Sequence, residues 1–153
     1  MKALREAIEK YGVGIGTEVV KVDSFLNHRI DVALSTEMGK AFYEAFKDDR
    51  VDCILTVEAS GIAAAMTAAQ AFGNIPVVFA KKGDHRNVGN DVYTAEVYSF
   101  THQKLNVIRV SHKYLEKGFQ PGGKNLRESG VKVVSLAIVD AIEDGKIILR
   151  DEE

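Results

Sequence analysis

Residues 51–80 carry two apolar runs joined by a stretch of helical composition, and this arrangement limits the possible folds more than any other feature of the chain. The first run, Val51-Asp52-Cys53-Ile54-Leu55-Thr56-Val57, is nearly continuous in apolar residues and has the length of a strand buried on both faces. Glu58-Ala59-Ser60-Gly61 follows, and then an alanine-rich segment over 62–72 that Gly73 ends. Ile75-Pro76-Val77-Val78-Phe79-Ala80 supplies the second run after a short loop. A strand, a helix and a strand this close in sequence make a crossover, which returns the second strand parallel to the first. The expected class is therefore α/β, with a parallel sheet flanked by helices.

The rest of the pattern adds elements to that unit. Leu4, Ile8 and Tyr11, with Ala3 and Ala7, mark an amphipathic N-terminal helix ended by Gly12, and residues 13–22 read as extended. Leu34, Met38, Ala41, Phe42, Ala45 and Phe46 fall at helical spacing, and Asp48-Asp49-Arg50 closes the stripe. The alternation over 92–100 and the run over 105–110 predict a hairpin turning at 101–104. Residues 81–91 hold two glycines and a single apolar side chain, so they read as a mobile loop. A short helix over 124–128, a strand over 131–139 and a last strand over 146–149 complete the expectation. At 153 residues this is one domain.

Composition excludes several function classes. A net charge of -2 predicts no general attraction to nucleic acid or to an anionic membrane, so any phosphate site must be local. No run approaches the roughly 18 apolar residues of a membrane span, and the charged N-terminus lacks a signal-peptide core, so a cytoplasmic protein is expected. Cys53, the single cysteine, lies inside an apolar run and reads as a small core residue. His28, His85, His102 and His112 have no metal-ligand spacing, and no metal site is expected from them.

Four places carry residue types suited to chemistry. The turn Glu58, Ala59, Ser60, Gly61 opens a helix after a buried strand, the geometry that aims free N–H groups at an anion; on the turn alone, Ser60 as a plain helix cap and Gly61 as a turn residue is the simpler reading. Lys81 and Lys82 stand at the end of a strand, where an ammonium could reach a phosphate under a closing loop or simply be solvated. Lys117 and Phe119 pair a cation with an aromatic face beside glycines and Pro121, which suits an oxopurine: its exocyclic oxygen accepts from an ammonium and its ring stacks. Asn27 offers a donor and an acceptor for a second carbonyl and its neighbouring ring nitrogen, or serves as a turn residue.

Four strings go further than these residue types. Lys-Val-Asp-Ser-Phe-Leu-Asn-His, Glu-Ala-Ser-Gly-Ile-Ala, Val-Tyr-Ser-Phe-Thr and Lys-Gly-Phe-Gln-Pro-Gly resemble segments of the xanthine phosphoribosyltransferases, members of the type I phosphoribosyltransferase family. The resemblance implies a core over about 31–115 and a small base-binding hood built from about 1–30 and 116–153. It implies xanthine contacts at Val20, Asn27, Lys117 and Phe119, and diphosphate contacts at Glu58, Ala59, Ser60, Gly61 and Lys81. It further implies Mg2+ with phosphoribosyl diphosphate as co-substrate, a homodimer, and transfer of phosphoribosyl to a xanthine ring nitrogen.

The resemblance also has a gap. Between the equivalents of Leu115 and Glu116 the family carries a strand, an acidic pair, a glycine-bearing loop, a helix and the start of another strand, of order 30 residues or one βαβ unit. There the acidic pair contacts the ribose hydroxyls and the loop wraps the 5-phosphate. Asp48-Asp49 precedes a strand rather than following one and is no substitute. The expectation is an enzyme fold with an impaired donor site, or a non-enzymatic purine-binding remnant of the family.

Overall fold

The computed structural model describes residues 1–17, 19–83, 91–99, 104–115, 139–143 and 146–149. Helix α1 (Lys2–Tyr11) leads into the hairpin β1 (Val13–Ile15) and β2 (Val19–Lys21), paired antiparallel with Gly14 opposite Val20. The extended stretch expected over 13–22 is thus broken in two, because Gly16 takes a φ of 60° and reverses the chain. A π-helical turn (Asp23–Asn27) follows, and then α2 (Val32–Phe46).

Helix α2 starts two residues before its first buried side chain because Asp31 caps it: the Leu34 N–H donates to Asp31 Oδ1 at 3.0 Å. Replacing Asp31 with alanine is expected to lower stability by about 1 kcal/mol, with Asp31→Asn close to the parent. Urea midpoints for the two variants test the assignment, and equal losses would contradict it. Ile8, Leu34, Met38 and Phe25 form one core cluster, which joins α1, the π-helical turn and α2.

The crossover is present as the sequence predicts, with shifted ends. Strand β3 (Ile54–Val57) pairs parallel with β4 (Val77–Lys82), and α3 (Gly61–Ala71) connects them. Residues 51–53 lie outside the ladder, which begins where the Ile54 N–H donates to the Pro76 carbonyl at 3.0 Å. Ile75 and Pro76 likewise precede their strand, whereas Lys81 and Lys82, expected to open the loop, belong to β4. Their inclusion is tertiary in origin: β6 (Lys104–Ser111) comes alongside antiparallel and pairs Lys81 with Arg109 and Lys82 with Ile108.

The expected hairpin is β5 (Val92–Ser99) against β6, so the sheet runs β3-β4-β6-β5 and is mixed: one parallel pair, then an antiparallel hairpin. Leu55, Val57, Val78, Ala80, Tyr93, Ala95, Ile108 and Val110 share one face of it, and Leu115, only 1% exposed, folds onto this cluster from a 3-10 turn (His112–Tyr114). Among the described residues β3 pairs with β4 alone, although its sequence is that of an inner strand. Strands β7 (Val139–Glu143) and β8 (Lys146–Leu149) form a separate antiparallel pair, with β8 beside β1 and α1. The helix expected over 124–128, the strand over 131–138, most of the 81–91 loop and the turn at 101–103 lie outside the described residues.

No described helix is long and apolar enough to cross a membrane.

Candidate functional site

The turn Glu58–Gly61 sits at the carboxyl ends of the parallel strands β3 and β4, the edge at which open α/β sheets bind ligands. Two bonds hold it there. The Glu58 N–H donates to the Ala80 carbonyl at 3.1 Å, and the Ile62 N–H to the Ala59 carbonyl at 3.1 Å. The Glu58–Ala59 peptide is cis. Between these ties, the N–H groups of Ala59, Ser60 and Gly61 have no acceptor among the described residues, and the turn leads straight into the N-terminus of α3. Three donors without an acceptor among the described residues adjoin a positive helix end, an arrangement that favours an anion.

The plain capping role open to Ser60 is not used: its side chain makes no capping bond and its backbone is already helical at φ -63° and ψ -29°. Gly61 has a steric reason to be glycine. A Cβ there would run into the Thr56 hydroxyl on β3, so any larger residue would require the Thr56 side chain to rotate away.

Lys81 is half-buried on the sheet face shared by Thr56 and Phe79, the face from which α3 departs. By register it stands level with Glu58, one step beyond the Val57 and Ala80 pair. Its ammonium has no carboxylate partner among the described residues. Glu58, Ala59, Ser60, Gly61 and Lys81 therefore lie at the same edge of the sheet.

The base-recognition set is only partly described. Val20 lies half-buried on β2 opposite Gly14, and Asn27 ends the π-helical turn with its side chain exposed; Phe25 in the same turn is buried in the core beside α1 and α2. The turn is thus anchored through Phe25 while Asn27 faces outward. Lys117 and Phe119 lie outside the described residues.

Two contributors escaped the sequence reading. The Glu58 carboxylate accepts the Lys82 N–H at 2.7 Å, and Arg109, opposite Lys81, donates to the Gly83 carbonyl. The only local signal was a lone charge inside the apolar run of β6. Cys53 is half-buried, and burial first, then the nearby Asp52 charge, push its thiol pKa up; this is an inert thiol rather than a nucleophile. Among the described residues no group of three His, Cys, Asp or Glu side chains is placed to hold a metal ion.

Fold and turn together define a class: an α/β domain with a mixed sheet that presents turn N–H groups without an acceptor among the described residues, and a lysine, at the carboxyl edge of its parallel strands. No family model matches the chain. It is 43% identical to the xanthine phosphoribosyltransferase of Ruminiclostridium cellulolyticum over 187 aligned positions, covering 96% of this chain and 98% of that protein. It is 40% identical to the xanthine phosphoribosyltransferase of Clostridioides difficile, over 98% of this chain and all of that protein. The enzyme of the same name from Bifidobacterium adolescentis is 42% identical, again over 98% of this chain and 100% of its own length. The chain belongs to the xanthine phosphoribosyltransferase family.

Proposed function

We propose that this chain serves purine salvage as a xanthine phosphoribosyltransferase, taking xanthine and phosphoribosyl diphosphate to xanthosine monophosphate and diphosphate. The observation that carries the donor half is the turn: three N–H groups without acceptors among the described residues, a helix N-terminus and Lys81, all at one sheet edge. Backbone donors of Ala59, Ser60 and Gly61 hold the diphosphate, and Lys81 neutralises part of its charge. Such a site acts by orienting the reacting carbon towards the base and by stabilising the departing diphosphate.

Mg2+ accompanies the donor. Magnesium keeps most of its waters and takes one or two carboxylates plus substrate phosphates. With Glu58 the only carboxylate in the turn, and engaged with Lys82, the ion belongs chiefly to the diphosphate oxygens.

On the acceptor side, Val20, Asn27, Lys117 and Phe119 form the oxopurine site in a hood made of about 1–30 and 116–153; the backbone of β8 beside β1 and α1 supports that pairing of the two ends. Losing the Lys117 bond should weaken xanthine binding by about 1 to 3 kcal/mol. Calorimetry with xanthine on the parent and Lys117→Ala tests this, and equal affinities would remove Lys117 from the site. The protein acts in the cytoplasm as a homodimer on this reading.

A second reading, a purine binder with little turnover, has its own support. The alignments with the relatives extend over 187 to 192 positions although the chain has only 153 residues, so each holds gaps in this chain. A gap between Leu115 and Glu116 would remove the ribose and 5-phosphate contacts. The assay is xanthosine monophosphate formation with Mg2+: measurable turnover favours the enzyme, and xanthine binding without turnover favours the remnant.

A further inference from the structure

We propose that Glu58 is a positioning residue: its carboxylate clasps the Lys82 N–H and so holds Lys81 in register with the turn, without itself touching the diphosphate. The inference rests on the donor-site reading above and deepens it. In a regular parallel ladder the residue level with Lys81 would donate its N–H to the Ala80 carbonyl and accept the Lys82 N–H on its own carbonyl. Glu58 keeps the first bond, at 3.1 Å, but takes the second with its side chain, Oε1 lying 2.7 Å from the Lys82 nitrogen. The side chain thus continues the ladder for one more rung, while the main chain is free to turn away and lay out the N–H groups of Ala59, Ser60 and Gly61.

The next residue is fastened from the other side. Gly83, at a φ of 81°, donates its N–H to the Val107 carbonyl at 3.0 Å and accepts from the Arg109 guanidinium on its own carbonyl. Residues 82 and 83 are therefore tied to β3 through Glu58 and to β6 through Val107 and Arg109. Lys81, immediately before them, is held from both neighbouring strands. A carboxylate beside an anion site works against binding unless its charge is put to use, and a bond from a carboxylate to an amide is among the stronger kinds. Here one carboxylate oxygen is engaged by the Lys82 main-chain N–H.

Two variants separate this role from its rivals, because a glutamine oxygen can still accept the Lys82 N–H whereas alanine cannot. The probe is Mg2+-diphosphate, its affinity measured by calorimetry on the full chain, with amide exchange at Lys82 and Gly83 as the second reading. Expected are an affinity about tenfold weaker for Glu58→Ala, with faster exchange at Lys82, and values within about threefold of the parent for Glu58→Gln. Tighter binding by both variants would mean that Glu58 merely repels the anion. Equal losses in both would mean that its charge contacts the ligand or its ion. Parental affinity and exchange in Glu58→Ala would leave the clasp without effect. Each of these three results overturns the proposal while leaving the donor site intact. Failure of the parent itself to bind Mg2+-diphosphate overturns the donor site, and the proposal with it.

Discussion

Inserting the strand–helix–strand segment of a xanthine phosphoribosyltransferase between Leu115 and Glu116 is expected to raise xanthosine monophosphate formation about a thousandfold or more. Holding two reactants in line supplies roughly 7 to 11 kcal/mol of a barrier, and every ~1.4 kcal/mol is a factor of ten. On the donor-site proposal, the turn at Glu58–Gly61 and Lys81 would hold only the diphosphate end of the donor and leave its ribose to other residues. A donor held at its leaving group can swing its reacting carbon away from the base. The insert would add the second grip, and a strand beside β3, which among the described residues pairs with β4 alone and whose sequence of Ile54, Leu55, Thr56 and Val57 suits an inner position better than an edge. The measurement compares initial rates of the two proteins at saturating Mg2+ and donor. Near-equal rates would mean that another segment already holds the ribose and 5-phosphate.

Why some of this was legible in the sequence and some was not follows from the range of the interactions involved. The crossover could be read because each of its parts is local: an apolar run, an alanine-rich helix with Gly73 behind it, and a second run. The β5 and β6 hairpin could be read from the alternation of the first strand, the apolar run of the second and the polar turn between them. Strand ends could not, since membership in a ladder depends on the partner. Residues 51–53 carry strand-like side chains but have no described partner, whereas Lys81 and Lys82 look like loop and are drawn into β4 by β6, whose Arg109 and Ile108 lie far along the chain.

The site divides in the same way. The turn was visible as a pattern, but only geometry shows that Ser60 makes no side-chain cap and that the N–H groups of Ala59, Ser60 and Gly61 have no acceptor among the described residues. Glu58 clasping Lys82 joins the turn after β3 to β4, 24 residues apart, and has no sequence signature. The xanthine set of Val20, Asn27, Lys117 and Phe119 came from resemblance, since a lysine, a phenylalanine and an asparagine are individually too common to name a ligand.

The largest loss of stability from a single methyl group is expected at Gly39. This residue faces α3 from the middle of α2, and a Cβ there would lie 2.5 Å from the Thr67 carbonyl carbon and 2.9 Å from the Ala68 nitrogen. Both are backbone atoms of a helix, so no side chain can rotate aside; the helices must part. Overpacking costs typically about 1 to 3 kcal/mol, and a clash with backbone belongs at or above the upper end, against a total stability of about 5 to 15 kcal/mol for such domains. Alanine is otherwise the better helix former by roughly 1 kcal/mol, so a loss in Gly39→Ala would have to come from packing. The consequence extends to the site, because α3 begins at Gly61, seated against Thr56, and carries the turn's donors at its N-terminus. Gly39→Ala should therefore lower the urea midpoint well below that of Lys40→Ala, an exposed neighbour on the same helix, and should weaken Mg2+-diphosphate binding as the turn shifts. A midpoint equal to that of Lys40→Ala would mean that α2 and α3 separate at no cost, and that the turn owes its place to β3 and β4 alone.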